Sequence, residues 1–435
     1  MKKVSLLFFV ILFILWSPIR GLAQWHQTGF LLDPSRSAYG LQFNPAWQPA
    51  EKVMIGVPAL NRISIGYDAT VNANDLFIFD GTSVTFELEH LIESGMEDYR
   101  GQVNARAGLM NVGFKTGKHF INFGVAARAF GYFSMDGDLL LALAESLELD
   151  DGVYEFDDVQ FRGLSYVEVA LGDAIKINDR WQVGFRAKYL QGIGQIESDN
   201  FSGVATVDRS VNRASIQFNQ AGVRSAGYDF SEGSQDRFDI SDNRGFGADI
   251  AVQYNVSDDL QVGTSFVDLG RIHWKSNGLN FTISDNVYET PGTVLEAVTY
   301  YKTLEDGIRD VVVSDTTKAK AYWENMPAMN YTYAIYNLTE RHQVSALLVN
   351  TLFQTDWDIA GTIGYNYYVG KGLTVHANVT SSNEKLAQLG VGFRVQAGPV
   401  QLVATVDDLP GIFHYKTAKQ QAVGFGLNLL FGKDE

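Results

Sequence analysis

The sequence predicts an all-β fold, a transmembrane antiparallel β-barrel of about fourteen strands, and three observations carry it. Apolar and polar residues alternate with a period of two through most of the chain. In LTVHANV, for example, Leu373, Val375, Ala377 and Val379 oppose Thr374, His376 and Asn378. The connections between alternating segments are by turns short and long. Beyond the N-terminal segment, no apolar stretch approaches the roughly 18 residues that a membrane helix needs.

Residues 1–23 read as a signal peptide. Lys2 and Lys3 precede an apolar run from Val4 to Trp16, and Gly21-Leu22-Ala23 is a small-residue cleavage site ahead of Gln24. No Cys follows to accept lipid, so the expectation is export with cleavage. Residues 24–61 carry Pro34, Pro45, Pro49 and Pro58, which disfavour a long regular strand. They are expected to form a hatch or plug, with the barrel over 62–435.

The predicted strands are 62–72, 103–115, 119–131, 164–176, 181–191, 246–256, 260–270, 328–337, 341–350, 356–369, 372–381, 386–396, 399–407 and 420–431. Most are close to the 9–11 residues with which a tilted strand crosses a bilayer. RWQVGFRAKY sets Trp181, Val183, Phe185, Ala187 and Tyr189 against Gln182, Gly184, Arg186 and Lys188. QLGVGFRVQ sets Leu389, Val391, Phe393 and Val395 against Gln388, Arg394 and Gln396.

Every second connection is short: 116–118, 177–180, 257–259, 338–340, 370–371 and 397–398. A bacterial outer-membrane barrel has short periplasmic turns and long outer loops, whereas a soluble sandwich has no reason to segregate them. The long connections carry structure of their own: helices over 138–149 and 293–308, and a hairpin within 201–220. The apolar faces therefore meet lipid and the polar faces point inward. Hydrocarbon offers no partner for an open sheet edge, so the strands should close on themselves.

Composition narrows the function. Removing residues 1–23 takes away three basic residues and no acidic one, moving the formal charge from −16 to −19. Nucleic acid is a poor partner for such a surface. The chain has no Cys, which excludes disulfides and thiolate chemistry. Its His residues show no metal-ligand spacing and its Ser residues no nucleophile elbow, so neither enzyme, cofactor nor metal is expected.

LQFNPAW, with Asn44-Pro45-Ala46 soon after the signal peptide, resembles the Asn-Pro-Ala of the hatch in FadL-type and PorV-like outer-membrane barrels. KYLQGIG (188–194) and FVDLGRIHW (266–274) resemble strand-end phrases of a FadL-like Bacteroidetes family of unassigned function. The resemblance implies a fourteen-stranded barrel with an N-terminal hatch. It also implies either passage of hydrophobic molecules or a scaffold role in type IX secretion.

By the alternation, Arg128, Arg186, Lys188, Arg394 and His376 face the lumen, with Asp249, Glu168 and Asp358. Salt bridges that fix the plug are one reading of these charges. Pairing of an Arg or Lys with a ligand carboxylate is the other, which makes Arg128, Arg186, Lys188, Asp249, His376 and Arg394 lumen ligand-binding candidates. The expected function is a non-enzymatic outer-membrane barrel that binds and passes small hydrophobic or amphipathic molecules. The alternatives are a protein-binding scaffold for secretion or surface attachment, and a diffusion porin. Membrane lipid is the expected environment in each case.

Overall fold

The structure, a computed structural model, describes residues 37–80, 83–86, 98–137, 152–156, 159–199, 202–208, 210, 213–219, 221–227, 242–283, 287–291, 315–353, 356–382 and 387–433. The segment read as a signal peptide and the two stretches read as loop helices, 138–149 and 293–308, lie outside them, as does the side chain of Asp358.

Fourteen antiparallel strands close into a barrel. The first is split into β1a (Glu51–Gly56) and β1b (Ile63–Ala69). There follow β2 (Asp98–Thr116), β3 (His119–Asp136), β4 (Gln160–Lys176), β5 (Trp181–Asp199), β6 (Arg244–Asn255) and β7 (Leu260–Trp274). The second half holds β8 (Ala328–Thr339), β9 (His342–Phe353), β10 (Asp356–Val369), β11 (Leu373–Ser381), β12 (Gln388–Ala397), β13 (Val400–Val406) and β14 (Gln420–Lys433). Each pairs with its neighbour in sequence, and both pieces of β1 lie between β2 and β14, so the described ladder runs round without a free edge.

The wall therefore starts at Glu51, ahead of the boundary at 61/62 that the prolines suggested. Pro58 does not interrupt a strand; it sits in the break between β1a and β1b. Backbone groups bridge that break: Val57 N donates to Leu427 O at 3.1 Å and Ala59 N to Leu109 O at 3.3 Å. The Asn61 side chain donates to Gly108 O at 2.8 Å, opposite a bulge in β2.

The short turns at 116–118, 370–371 and 397–398 each hold a glycine with positive φ, Gly117, Gly370 and Gly398, where a side chain would be strained. The alternation has the predicted sense. On β11, Val375 and Val379 are 45% and 48% exposed, and His376 and Asn378 are buried in the lumen. Trp181, Tyr365 and Phe431 lie exposed near the short-turn ends, where an aromatic belt meets the membrane interface.

On the long-loop side, the hairpin foreseen within 201–220 forms from Gly203–Asp208 and Arg213–Phe218. It is flanked by Gly152–Phe156 and Val287–Pro291, giving a four-stranded sheet assembled from three separate loops.

Candidate functional site

The lumen is occupied. Residues 37–50 run inside the barrel as a 3-10 turn, Ala38–Gln42, followed by Phe43-Asn44-Pro45-Ala46-Trp47, and Asn44 and Ala46 are fully buried. The Asn44 carboxamide closes a local turn by accepting from Ala46 N at 2.9 Å, and its amide donates to the Tyr333 hydroxyl at 2.7 Å. Trp47 Nε1 donates to the same hydroxyl at 3.0 Å, and that hydroxyl donates to Gln253 Oε1 at 3.1 Å. Further ties run from Arg186 to Leu41 O (2.7 Å), from Ser265 to Phe43 O (2.6 Å), from Ala38 N to Gln401 (3.0 Å) and from Gln48 to Ala174 O (2.7 Å). The Pro45–Ala46 peptide lies on Gly184, where a Cβ would come within 2.2 Å of it.

Part of the lumen wall around this segment is apolar. Ala38, Leu41, Phe43 and Trp47 join one core with Met54, Phe120, Tyr331, Tyr333, Ile335, Leu347, Val349 and Val403. Phe43 meets Tyr331 and Trp47 meets Tyr333 in edge-on ring contacts at centroid distances of 5.3 and 5.6 Å. Sequence reasoning missed this feature by expecting inward faces to be polar. On β8 the alternation runs opposite to the expected sense: in MNYTYAIY the apolar phase of Met329, Tyr331, Tyr333 and Ile335 points inward, and Asn330 and Thr332 lie in the other phase.

Beside the apolar core lies an ionic one. Lys188 Nζ sits 2.7 Å from Asp249 and 2.6 Å from Asp268. Arg186 bonds Asp249 at 3.1 Å, Arg128 bonds Asp268 at 3.2 Å, and Arg106 bonds Glu168 at 2.5 Å. Charges withdrawn from water in this way are tolerated because each has an opposite partner within hydrogen-bond reach. The predicted Arg128, Arg186, Lys188 and Asp249 are thus brought together. Arg394 and His376 are not in this cluster. Arg394 donates to Thr374 (2.9 Å) and Gln396 (3.3 Å). His376 is held between Asn366 at its Nδ1 (2.8 Å) and Asn378 at its Nε2 (3.1 Å), in an uncharged amide chain.

Asp268 and Arg106 were absent from the predicted set. Strict alternation puts Asp268 outward with Phe266. The structure instead gives Asp268 a positive φ of 61° and a backbone N–H bonded to Asp249 at 2.8 Å, so that Val267 and Asp268 both turn inward. A carboxylate in the lipid phase of a strand was the available signal of such a bulge.

A cavity of about 60 Å³ lies between the segment and β1–β5, lined by Gln42, Asn61, Arg106, Asn122, Glu168 and Arg186 among others. A second, of about 20 Å³, adjoins Arg128 and Met329.

A family model described as a family of unknown function, DUF5723, matches residues 45–407. The chain belongs to the DUF5723 family. No curated protein matches this DUF5723 chain. Among solved structures, it is similar to a Pseudomonas aeruginosa FadL homologue (11% identity, TM-score 0.47, covering 95% of this chain and 99% of that one). It is also similar to the P. putida toluene transporter TodX (9%, 0.43, 95% and 97%) and to the Ralstonia pickettii toluene transporter TbuX (11%, 0.42, 91% and 94%). The resemblance to a family of unassigned function, drawn from Asn44-Pro45-Ala46 and the two strand-end phrases, thus meets the DUF5723 match.

Proposed function

We propose that this outer-membrane barrel is a gated conduit for small hydrophobic or amphipathic molecules, with residues 37–50 as its hatch. The observation that supports it is the apolar core inside the lumen. An open aqueous porin keeps a polar, water-filled interior, whereas here Tyr331, Ile335, Leu347 and Val349 line the inside against Leu41, Phe43 and Trp47. Displacing the hatch would uncover an apolar track beside the ionic cluster, in which the four cations Arg106, Arg128, Arg186 and Lys188 face three carboxylates, Glu168, Asp249 and Asp268. The one positive charge in excess suits an amphiphile with an anionic head.

Binding of 9,10-dibromostearate, a heavy-atom quencher, tests the reading. Tryptophan emission of the detergent-extracted barrel should fall saturably, and the quenched component should vanish in Trp47→Phe. Equal quenching of both proteins would refute a lumen site beside the hatch.

The scaffold reading has one observation of its own, the four-stranded outer sheet whose strands Gly152–Phe156 and Val287–Pro291 each pair on one side only among the described residues. A stoichiometric protein partner, lost when 203–218 is deleted while dibromostearate binding persists, would favour it.

A further inference from the structure

The last long connection, 408–419, does not stand above the barrel mouth. It folds over the outside of the wall. Tyr67 and Gln421 are register partners on β1b and β14, two residues beyond the pair Ile65 and Val423, which are 50% and 40% exposed on the lipid face. Opposed residues of an antiparallel pair point to the same side, so Tyr67 and Gln421 also point outward. Both hold the loop. Gln421 accepts from Asp408 N at 3.2 Å and donates to Asp408 O at 2.8 Å, and the Tyr67 hydroxyl donates to Ala418 O at 3.3 Å. Backbone bonds from Ala69 N to Lys419 O (2.8 Å) and from Asn74 N to Lys416 O (2.9 Å) fix its returning limb.

Two residues of strand rise roughly 7 Å, so the loop lies one such step above the hydrocarbon-facing Ile65. Its short helix α1 (Leu409–Phe413) and the following turn present Ile412, Phe413 and Tyr415, 43%, 74% and 60% exposed. Phe413 is the most exposed large apolar side chain among the described residues. The same loop carries His414, Lys416 and Lys419, while its carboxylates Asp407 and Asp408 are buried at its base. Apolar and aromatic side chains with lysines among them, continuous with the lipid-facing band, have the chemistry of a membrane-interface anchor.

We infer that loop 408–419 is an anchor in the outer leaflet, with Ile412, Phe413 and Tyr415 among the acyl chains and Lys419 at the phosphate level of anionic headgroups. This site is separate from the lumen and independent of what passes through it.

The absence of cysteine makes the test direct. Phe413→Cys and, as a control on the outer sheet, Val153→Cys carry the environment-sensitive dye NBD. Both proteins are reconstituted in phosphatidylcholine–phosphatidylglycerol vesicles. The expected result is a blue-shifted emission at 413 that is quenched by lipids spin-labelled near the headgroup and shielded from aqueous iodide, with the reverse at 153. Iodide quenching at 413 equal to that at 153 would overturn the inference. Shielding from iodide without quenching by spin-labelled lipid would also overturn it, and would assign the surface to a second copy of the chain.

Discussion

Lys188 and Asp268 form a 2.6 Å ion pair across the lumen side of β5 and β7, and each comes from one of the two strand-end phrases, KYLQGIG and FVDLGRIHW. Lys188 also holds Asp249 at 2.7 Å. Removing the ammonium leaves Asp249 to Arg186 and Asp268 to Arg128 alone, and breaking a buried pair costs up to about 3–5 kcal/mol. Lys188→Met should therefore lower the unfolding midpoint of the detergent-solubilised barrel sharply. Lys188→Met with Asp268→Asn should recover part of the loss, because the two sites share one network. A double variant as weak as the sum of the singles would show the pair to be energetically independent.

Tyr333 is the node through which residues 44–47 join the wall. Its hydroxyl accepts from both Asn44 and Trp47 and donates to Gln253. Tyr333→Phe keeps the ring that packs on Trp47 and removes the oxygen, leaving two buried donors without an acceptor at about 1–3 kcal/mol each. The expected outcome is a hatch that opens more often: faster hydrogen exchange over 38–48 and bursts of current in planar bilayers. Wild-type exchange over that segment would contradict the latch.

Much of this was legible in the sequence, because the physics of the wall is local. Period-two alternation and a turn on every other connection are properties of neighbouring residues, and they located fourteen strands and the inward direction of Arg186, Lys188 and Asp249. What was hidden depends on events across the barrel. The split of the first strand is visible only when Gly108 and Leu427 are placed opposite it. Asp268 turns inward because a single left-handed residue shifts the phase of β7. The apolar patch of the lumen follows from the packing of residues 37–50 against β8 and β9, whose inward Tyr331, Tyr333, Leu347 and Val349 share one core with Phe43 and Trp47.

The lipid face gives a depth-dependent test. Val379 on β11 is the register partner of Ile363, which lies mid-strand on β10; its side chain is outward, and Asn378 and Thr380 on either side of it are buried inward. An Arg near the bilayer midplane costs about 2–4 kcal/mol in a barrel strand. Val379→Arg should lose that much in denaturant titration of vesicle-embedded protein, while Val379→Leu should be close to neutral. Equal stability of the two variants would mean that hydrocarbon does not cover this face.

Gly184 sets how closely the hatch can seat. It projects nothing inward, and the Pro45–Ala46 peptide occupies the space a side chain would take, with its atoms 2.2 Å from an added Cβ. Those atoms are backbone, which cannot rotate away, so Gly184→Ala has to push the hatch off the wall at a cost of about 1–3 kcal/mol. Because β5 is held by ladders on both sides, the strand should survive and the hatch should yield. The expected signature is unchanged β-sheet circular dichroism, red-shifted Trp47 emission and raised single-channel conductance. Gly247→Ala on β6 is the matched control, since its added Cβ would meet nothing closer than 3.4 Å. If both variants conduct like the wild type, close seating of Pro45–Ala46 on β5 is not what closes the lumen.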